Sequence, residues 1–353
     1  MRLCREFSVC EPERKVFRLS KTYLWNSVAV NFAWMAEIGK DIHKAAELLK
    51  RGKLVAIPTE TVYGLAANAF NPEAVLNVFE AKERPHFDPL IVHSSTAQWV
   101  KQHVAETSPM AQILMDEFWP GPLTLVLPKK PIVPDVVTSG LDSVAVRVPS
   151  HPMTQDLLRM LDFPLAAPSA NPFGYVSPTT AQHVQDQLGD KIDYILDGGP
   201  TTVGLESTII GFEEGKPVVF RLGGLSIDVI EEVIGKVELS LNQSSDPKAP
   251  GMLKSHYAPG KPLYFGNPGE MITDFEGKRI GFLGFMTRLE FLPPKQQLIL
   301  SPHGDLHEAA VNLFAFMREF EKFPVDLILA EKLPDIGLGR AINDRLRRAS
   351  VIP

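Results

Sequence analysis

From residue 37 the chain alternates between short apolar runs and amphipathic stretches. Ile38, Ile42, Ala45 and Leu49 recur at helical spacing, and Gly52 marks a stop. LVAIPTETVYG then reads as a buried strand running into a loop that carries PTETVYGLAANAF. Asn71-Pro72 supplies a cap and a first-turn proline for a helix whose apolar stripe is Val75, Val78 and Phe79. This helix must end before Pro85. PLTLVLP (122–128), SVAVRVP (143–149), PLAAPSAN (164–171), YILDGG, STIIGF and PVVFRLGG are β-rich, and Ser177-Pro178 has the form of another helix start. Strands alternating with helices at short spacing predict a mixed α/β sheet.

The pattern breaks at residues 238–262. LSLNQSSDPKAPGMLKSHYAPGKP has no periodicity and is rich in Ser, Pro, Gly and Asn, as a linker is. Beyond it PLYFG, RIGFLGF, QLILSP and DLILAEK read as short strands and HEAAVNLFAFMREFEK as a helix, predicting a small, mostly parallel sheet. GLGRAINDRLRRAS closes the chain as a glycine turn and a basic helix. Residues 1–34 look unlike the rest: Glu6, Glu11 and Glu13 argue against a transit peptide, and the later apolar run is too short to span a bilayer. They are expected to be a disordered or spurious extension, with Met35 as a plausible start. The expected division is therefore 35–237, a 238–262 linker and 263–353.

Composition narrows the chemistry. A chain of 353 residues with a net charge of −6 has room for two cores and no generally basic surface. The two cysteines, Cys4 and Cys10, sit at the N-terminus, so neither a disulfide framework nor a cysteine zinc site holds the main body. A cytoplasmic protein is expected. There is no GxxxxGK[ST] loop and no GxGxxG after a strand. A nucleotide would need side-chain cations and loop hydroxyls. Lys82 and Arg84 end a helix beside prolines, which suits a polyanion, although the helix dipole alone accounts for cations there. Ser169, Asn171, Ser177, Arg147 and Arg221 are further candidates; Ser177 reads equally well as a cap and Arg147 as a solvated strand residue. His93 after PLIV is a candidate ligand with a core role as its alternative.

Taken in order, PTETVYGL, KER, RPHFDPLIVH, VAVRVP, APSANPFGYVSPT, GLESTI and RLGG resemble the successive blocks of the YrdC-like family, with its KxR…SxN signature. APGMLKSHYAP resembles the PGMxxxHYxP segment of its two-domain members, the L-threonylcarbamoyladenylate synthases. The resemblance covers about residues 37–353. It implies a YrdC-like mixed twisted sheet with helices plus a smaller Rossmann-like C-terminal α/β domain. It also implies a nucleotidyltransferase that condenses L-threonine, bicarbonate and ATP, with Mg²⁺ on the phosphates, and releases pyrophosphate. A downstream tRNA threonylcarbamoyl transferase complex then modifies adenosine-37.

By motif, Thr61, His93, Arg147, Ala167 and Ser207 are expected around threonine, with Arg147 on its carboxylate. Lys82, Arg84, Asp88, Ser143, Ser169, Asn171, Ser177 and Arg221 are expected on the nucleotide side, where Lys82, Arg84, Ser169 and Asn171 form the catalytic set. Tyr257 is expected to fold over ATP. Lys82 and Arg84 are expected to project into solvent. Asp88 replaces a common Asn, and Ser143 a common Thr; an aspartate facing phosphate would weaken ATP binding. Weak RNA or tRNA binding by the enzyme is a further candidate contact; the alternatives in function are a non-catalytic RNA-binding protein and a carbamoyl transfer enzyme of hydrogenase maturation. The last usually carries zinc-finger cysteines that this chain lacks. No membrane contact is expected.

Overall fold

The structure is a computed structural model that describes residues 35–241, 249, 252 and 256–350. The expectations for residues 1–34 and for most of the 242–255 stretch lie outside these residues. Two sheets organise the chain. The larger has eleven strands among the described residues, in the order Glu37–Gly39, Tyr194–Leu196, Val55–Ile57, Gly64–Asn68, Leu165–Ala166, Ile91–His93, Ser143–Arg147, Leu123–Pro128, Thr208–Glu213, Lys216–Arg221 and Glu238–Leu239. It mixes parallel and antiparallel pairs. The smaller is all parallel, in the order Leu263–Gly266, Leu327–Glu331, Ile280–Gly284 and Gln297–Ile299.

Strand periodicity sends alternate residues to opposite faces of the larger sheet. Val92, Val146 and Ala166 go to the first face, in one core with the helices Pro72–Lys82, Pro109–Phe118 and Ala181–Leu188. Val55, Ile57, Ala66 and Leu165 go to the second, where the helices Ile42–Lys50 and Pro152–Arg159 cover them. Further along that second face, Ile91, Ala145, Ile209, Val218 and Phe220 are met by Ala249 and Met252 from the segment between the sheets. The first-face core also takes in Leu313, Phe314 and Met317 from the helix Leu306–Glu319 behind the smaller sheet. The two sheets thus share apolar contacts. The approach is close: Gly204 has φ +76°, and a Cβ there would lie 2.4 Å from the Ala310 carbonyl oxygen.

Local chemistry corrects several sequence expectations. Ile38 belongs to an edge strand, and the first helix starts at Ile42 with Asp41 as cap. The stretch after PTETVY is a strand, Gly64–Asn68, because its apolar residues pair with Val55–Ile57. PLAAPSAN contributes only Leu165–Ala166 to the sheet. Ser177 does not cap a helix; Thr180 caps Ala181–Leu188 by accepting from the His183 amide. Asn71 and Pro72 cap and open Pro72–Lys82 as the spacing predicts. GLGRAINDRLRRA is helical from Gly337 onward, so its glycines begin the helix rather than form a turn before it. Within 238–262, Glu238–Leu239 pairs in parallel with the strand Lys216–Arg221.

Candidate active site

The second face of the larger sheet carries the site. Residues two apart on a strand share a face, so Ser143, Ala145 and Arg147 line up, as do Ile91 with His93 and Ser207 with Ile209. Register places His93 beside Arg147 and Ile91 beside Ala145. The result is a strip that is polar at one end and apolar in the middle. A narrow cavity of about 50 Å³ opens at the polar end. Thr61, Arg84, His93, Arg147, Ala167, Ser169, Ser207, Arg221 and Tyr257 all line it. Among the residues not singled out from the sequence, Thr59, Gly64, Pro168, Glu206 and His256 also line it, with Val62 and Ile91 completing the wall.

Arg147 is buried and fixed on three sides. Its Nε donates to the Gly121 carbonyl at 3.1 Å, its Nη1 to Thr61 Oγ1 at 2.9 Å, and its Nη2 lies 2.6 Å from Glu60 Oε1. A guanidinium has five N–H donors, so the fork retains capacity for a carboxylate. It is therefore not a solvated strand residue. Thr61 is held in turn by Thr59, whose Oγ1 lies 2.8 Å from its own. Ser207 Oγ lies 2.7 Å from Thr124 Oγ1, and Arg221 donates to the Ser207 carbonyl from Nε and Nη2. Burial pushes the Arg221 pKa down to about 10, still charged at neutral pH.

His93 ends its strand with a buried ring. Burial first, then the Arg147 charge, pushes its pKa down to about 3. The imidazole is neutral in the folded chain and can meet a substrate amine or hydroxyl without adding charge. The unfolded chain binds a proton near pH 6.5 that the folded chain refuses until about pH 3. His93 therefore lowers stability as pH falls through this window, and its contribution is restored above it. In an NMR titration, the His93 ring resonances are expected to stay at their neutral positions from pH 8 to about pH 5; charging near pH 6.5 would contradict this environment.

Lys82 and Arg84 do not project into solvent. Glu83 turns left-handed at φ 54° and places Arg84 outside the helix, while Lys82 lies on the helix's buried side. Lys82 Nζ donates to the Ser169 and Asn171 carbonyls, each at 2.5 Å, and clamps the PSAN loop from behind. Burial and then Arg84 push its pKa well below the ordinary lysine value, with Asp88 opposing. Arg84 donates to the Asp88 and Pro89 carbonyls, and its Nη2 lies 2.8 Å from Asp88 Oδ2. Asp88 is thus a buried counter-ion of Arg84. The expected conflict between Asp88 and phosphate is replaced by an ion pair.

Asn171 donates to the Pro172 and Tyr175 carbonyls and shapes the loop. Ser177 donates to Glu206 Oε1 at 2.5 Å. Ser143 lies at the far end of its strand, on a second, roomier cavity of about 630 Å³ with Val126, Phe212 and Phe220. Lys82, Asp88, Asn171 and Ser177 therefore support the cavity wall from behind, and Ser143 stands apart from it.

Tyr257 closes the cavity. It is buried, with φ +67°, a conformation uncommon for an aromatic residue. Its ring stacks on Phe314 at 5.6 Å, and the Arg345 and Arg348 guanidiniums lie 4.9 and 5.0 Å from its centroid. The neighbouring backbone is strapped on both sides: His256 N donates to the Arg348 carbonyl and Ala258 N to the Gly174 carbonyl. Among the described residues no group of three His, Cys, Asp or Glu side chains could hold a metal ion, and no helix is long and apolar enough to cross a membrane.

The Sua5/YciO/YrdC family profile, whose description reads telomere recombination, matches residues 47–223, and the profile of the threonylcarbamoyl-AMP synthase C-terminal domain matches 225–351. Threonylcarbamoyl-AMP synthase of Pyrococcus abyssi is 44% identical, over 88% of this chain and 94% of its own length. The Bacillus subtilis protein of the same name is 41% identical over 88% of this chain and 92% of its own. The crystal structure of P. abyssi Sua5 complexed with L-threonine superposes with a TM-score of 0.83 at 41% identity, covering 90% of this chain and 97% of that one. The chain belongs to the threonylcarbamoyl-AMP synthase family, in its two-domain form.

Proposed function

We infer that this chain makes threonylcarbamoyl-AMP from L-threonine, bicarbonate and ATP. One observation carries the reading. A single small cavity brings together a fixed carboxylate-binding fork, Arg147 on the sheet, and two further buried guanidiniums, Arg221 at a strand end and Arg84 just past a helix end. An amino acid and a polyphosphate can meet only where both kinds of group converge.

In this reading Arg147 takes the threonine carboxylate, while Thr61, Ser207 and neutral His93 surround its amine and side chain. Threonine and bicarbonate form a carbamate with loss of water. A carbamate oxygen attacks the α-phosphorus, the bond to the leaving pyrophosphate breaks, and a mixed anhydride remains. The residues position and neutralise; no covalent intermediate is required. Arg84 and Arg221 offset phosphate charge, and Ser169 offers a hydroxyl on the loop that Lys82 clamps. The adenosine half would extend over Ile91, Ala145 and Ile209 toward Ser143, taking the place of Ala249 and Met252, which pack on that face. Four residue steps of strand separate Ser143 from Arg147, about 13 Å. Mg²⁺ fits only as a partner of the phosphates, because the carboxylates about the cavity, Glu60, Asp88 and Glu206, are already paired with arginines; when bound it would offset phosphate charge.

We further propose that residues 35–237 form the catalytic domain, 238–262 the closing segment and 263–353 a supporting domain. The protein would work in the cytoplasm and hand its product to a tRNA threonylcarbamoyl transferase complex. Pyrophosphate release should require threonine and bicarbonate together with Mg-ATP. Release that ignores either would overturn the reading in favour of a plain ATPase.

A further inference from the structure

The last helix, Gly337–Ala349, buries charge where a supporting helix needs only apolar contacts. Arg345 is fully buried, and its guanidinium leaves the small-sheet side to reach the larger one. Nε donates to Glu206 Oε2 at 2.9 Å and Nη2 to the Leu222 carbonyl at 2.8 Å, while Nη1 meets Asp344 Oδ2 at 2.8 Å. Glu206 lines the cavity, directly before Ser207, and its other oxygen accepts from Ser177. The same guanidinium packs on the Tyr257 ring.

A buried carboxylate facing a cavity for anions is a liability. Left alone, it would repel a triphosphate at short range in a low-dielectric setting. Arg221 donates to the Ser207 carbonyl and adds its charge nearby, and Arg84 is paired with Asp88. Arg345 is the cation hydrogen-bonded to Glu206. Burial alone would raise the Glu206 pKa, but Arg345 and then Arg221 hold it below the usual carboxylate range.

We propose that Arg345 is a positioning residue of the adenylate-forming site, reaching in from the C-terminal domain to neutralise Glu206 and to seat Tyr257 over the cavity. This rests on the function proposed above. The site is then incomplete without the C-terminal domain, for an electrostatic reason as well as a packing one.

The test compares Arg345→Met, Glu206→Gln and the double variant in the full-length chain, with steady-state kinetics in ATP and in threonine. Arg345→Met is expected to raise KM for ATP at least about tenfold, because a buried carboxylate loses its partner. The threonine KM should shift less. Adding Glu206→Gln should recover much of the ATP KM, because no lone charge then remains. Simple loss of packing would not be relieved by a second substitution. An Arg345→Met enzyme with wild-type ATP KM, or a double variant no better than the single one, overturns the proposal. Should Arg345→Met not fold, Arg345→Lys carries the test, since a lysine cannot reproduce the fork; an unchanged ATP KM in folded Arg345→Lys likewise overturns it. Absence of threonine-dependent turnover in the unmodified protein would instead bring down the function reading itself.

Discussion

Arg84→Ala is expected to cost about 3–5 kcal/mol of folding stability and to remove threonine-dependent turnover. Arg84 and Asp88 form an ion pair with side chains only 6% and 0% exposed. Removing the cation takes the guanidinium partner from a buried carboxylate and a guanidinium from the cavity wall. The two effects separate on a second substitution. Adding Asp88→Asn should return much of the stability, because the carboxylate that lost its ion-pair partner is gone, while turnover stays lost. Denaturant unfolding and pyrophosphate release on the same samples give both readouts. A stable, active Arg84→Ala enzyme would contradict the pairing and the phosphate role together. Lys82→Ala is expected to behave similarly. It removes the Lys82 Nζ donor from two loop carbonyls, and an intramolecular hydrogen bond contributes about 0.5–1.5 kcal/mol.

Gly223→Ala is expected to damage the site without touching a functional group. A Cβ at residue 223 would lie 2.3 Å from the Glu206 carbonyl oxygen and 2.5 Å from both Ser207 C and Thr208 N. These are backbone atoms at the start of a central strand, so they cannot rotate away. Overpacking of this kind costs about 1–3 kcal/mol, and relief must move Glu206 and Ser207. Turnover should fall by about a hundredfold, since misplacement of about 1 Å at a positioned site costs that much. Gly224→Ala is the control, because its Cβ would meet a methyl of Val203 instead of backbone. Equal kinetics for the two variants would show that the close approach at Gly223 does not set the geometry.

The strands were legible as short, β-rich apolar runs because both faces of the larger sheet are covered, so successive residues are buried. Asn71-Pro72 was legible because cap and first-turn proline occur together. Gly64–Asn68 was not, since GLAAN has none of the β-branched residues that mark a strand. Its place is fixed by pairing with Val55–Ile57. Ser177 misled because Ser-Pro has the form of a cap, whereas its hydroxyl is consumed by Glu206.

At the site, the residues that point along the second face were found: Thr61, His93, Arg147, Ser207 and Arg221. What escaped was which cations face the cavity and which stand behind it. Lys82 is buried by its place on the helix, and the left-handed residue Glu83 redirects Arg84, a turn that no one-dimensional pattern announces at a glutamate. Glu206, Glu60 and Arg345 were missed for a related reason. Buried charges are silent in a sequence until their partners are known, and the partners lie up to 139 residues away. GLES does contain the signal for Glu206, as a carboxylate set between a glycine approach and a strand start.

The most direct test is incorporation of isotope-labelled bicarbonate by the purified full-length chain with Mg-ATP, in the presence of L-threonine, L-serine or no amino acid. The account predicts a labelled adenylate formed with threonine, together with pyrophosphate, and far less label with serine. Equal label with serine, or ATP consumption with no labelled product, would contradict it.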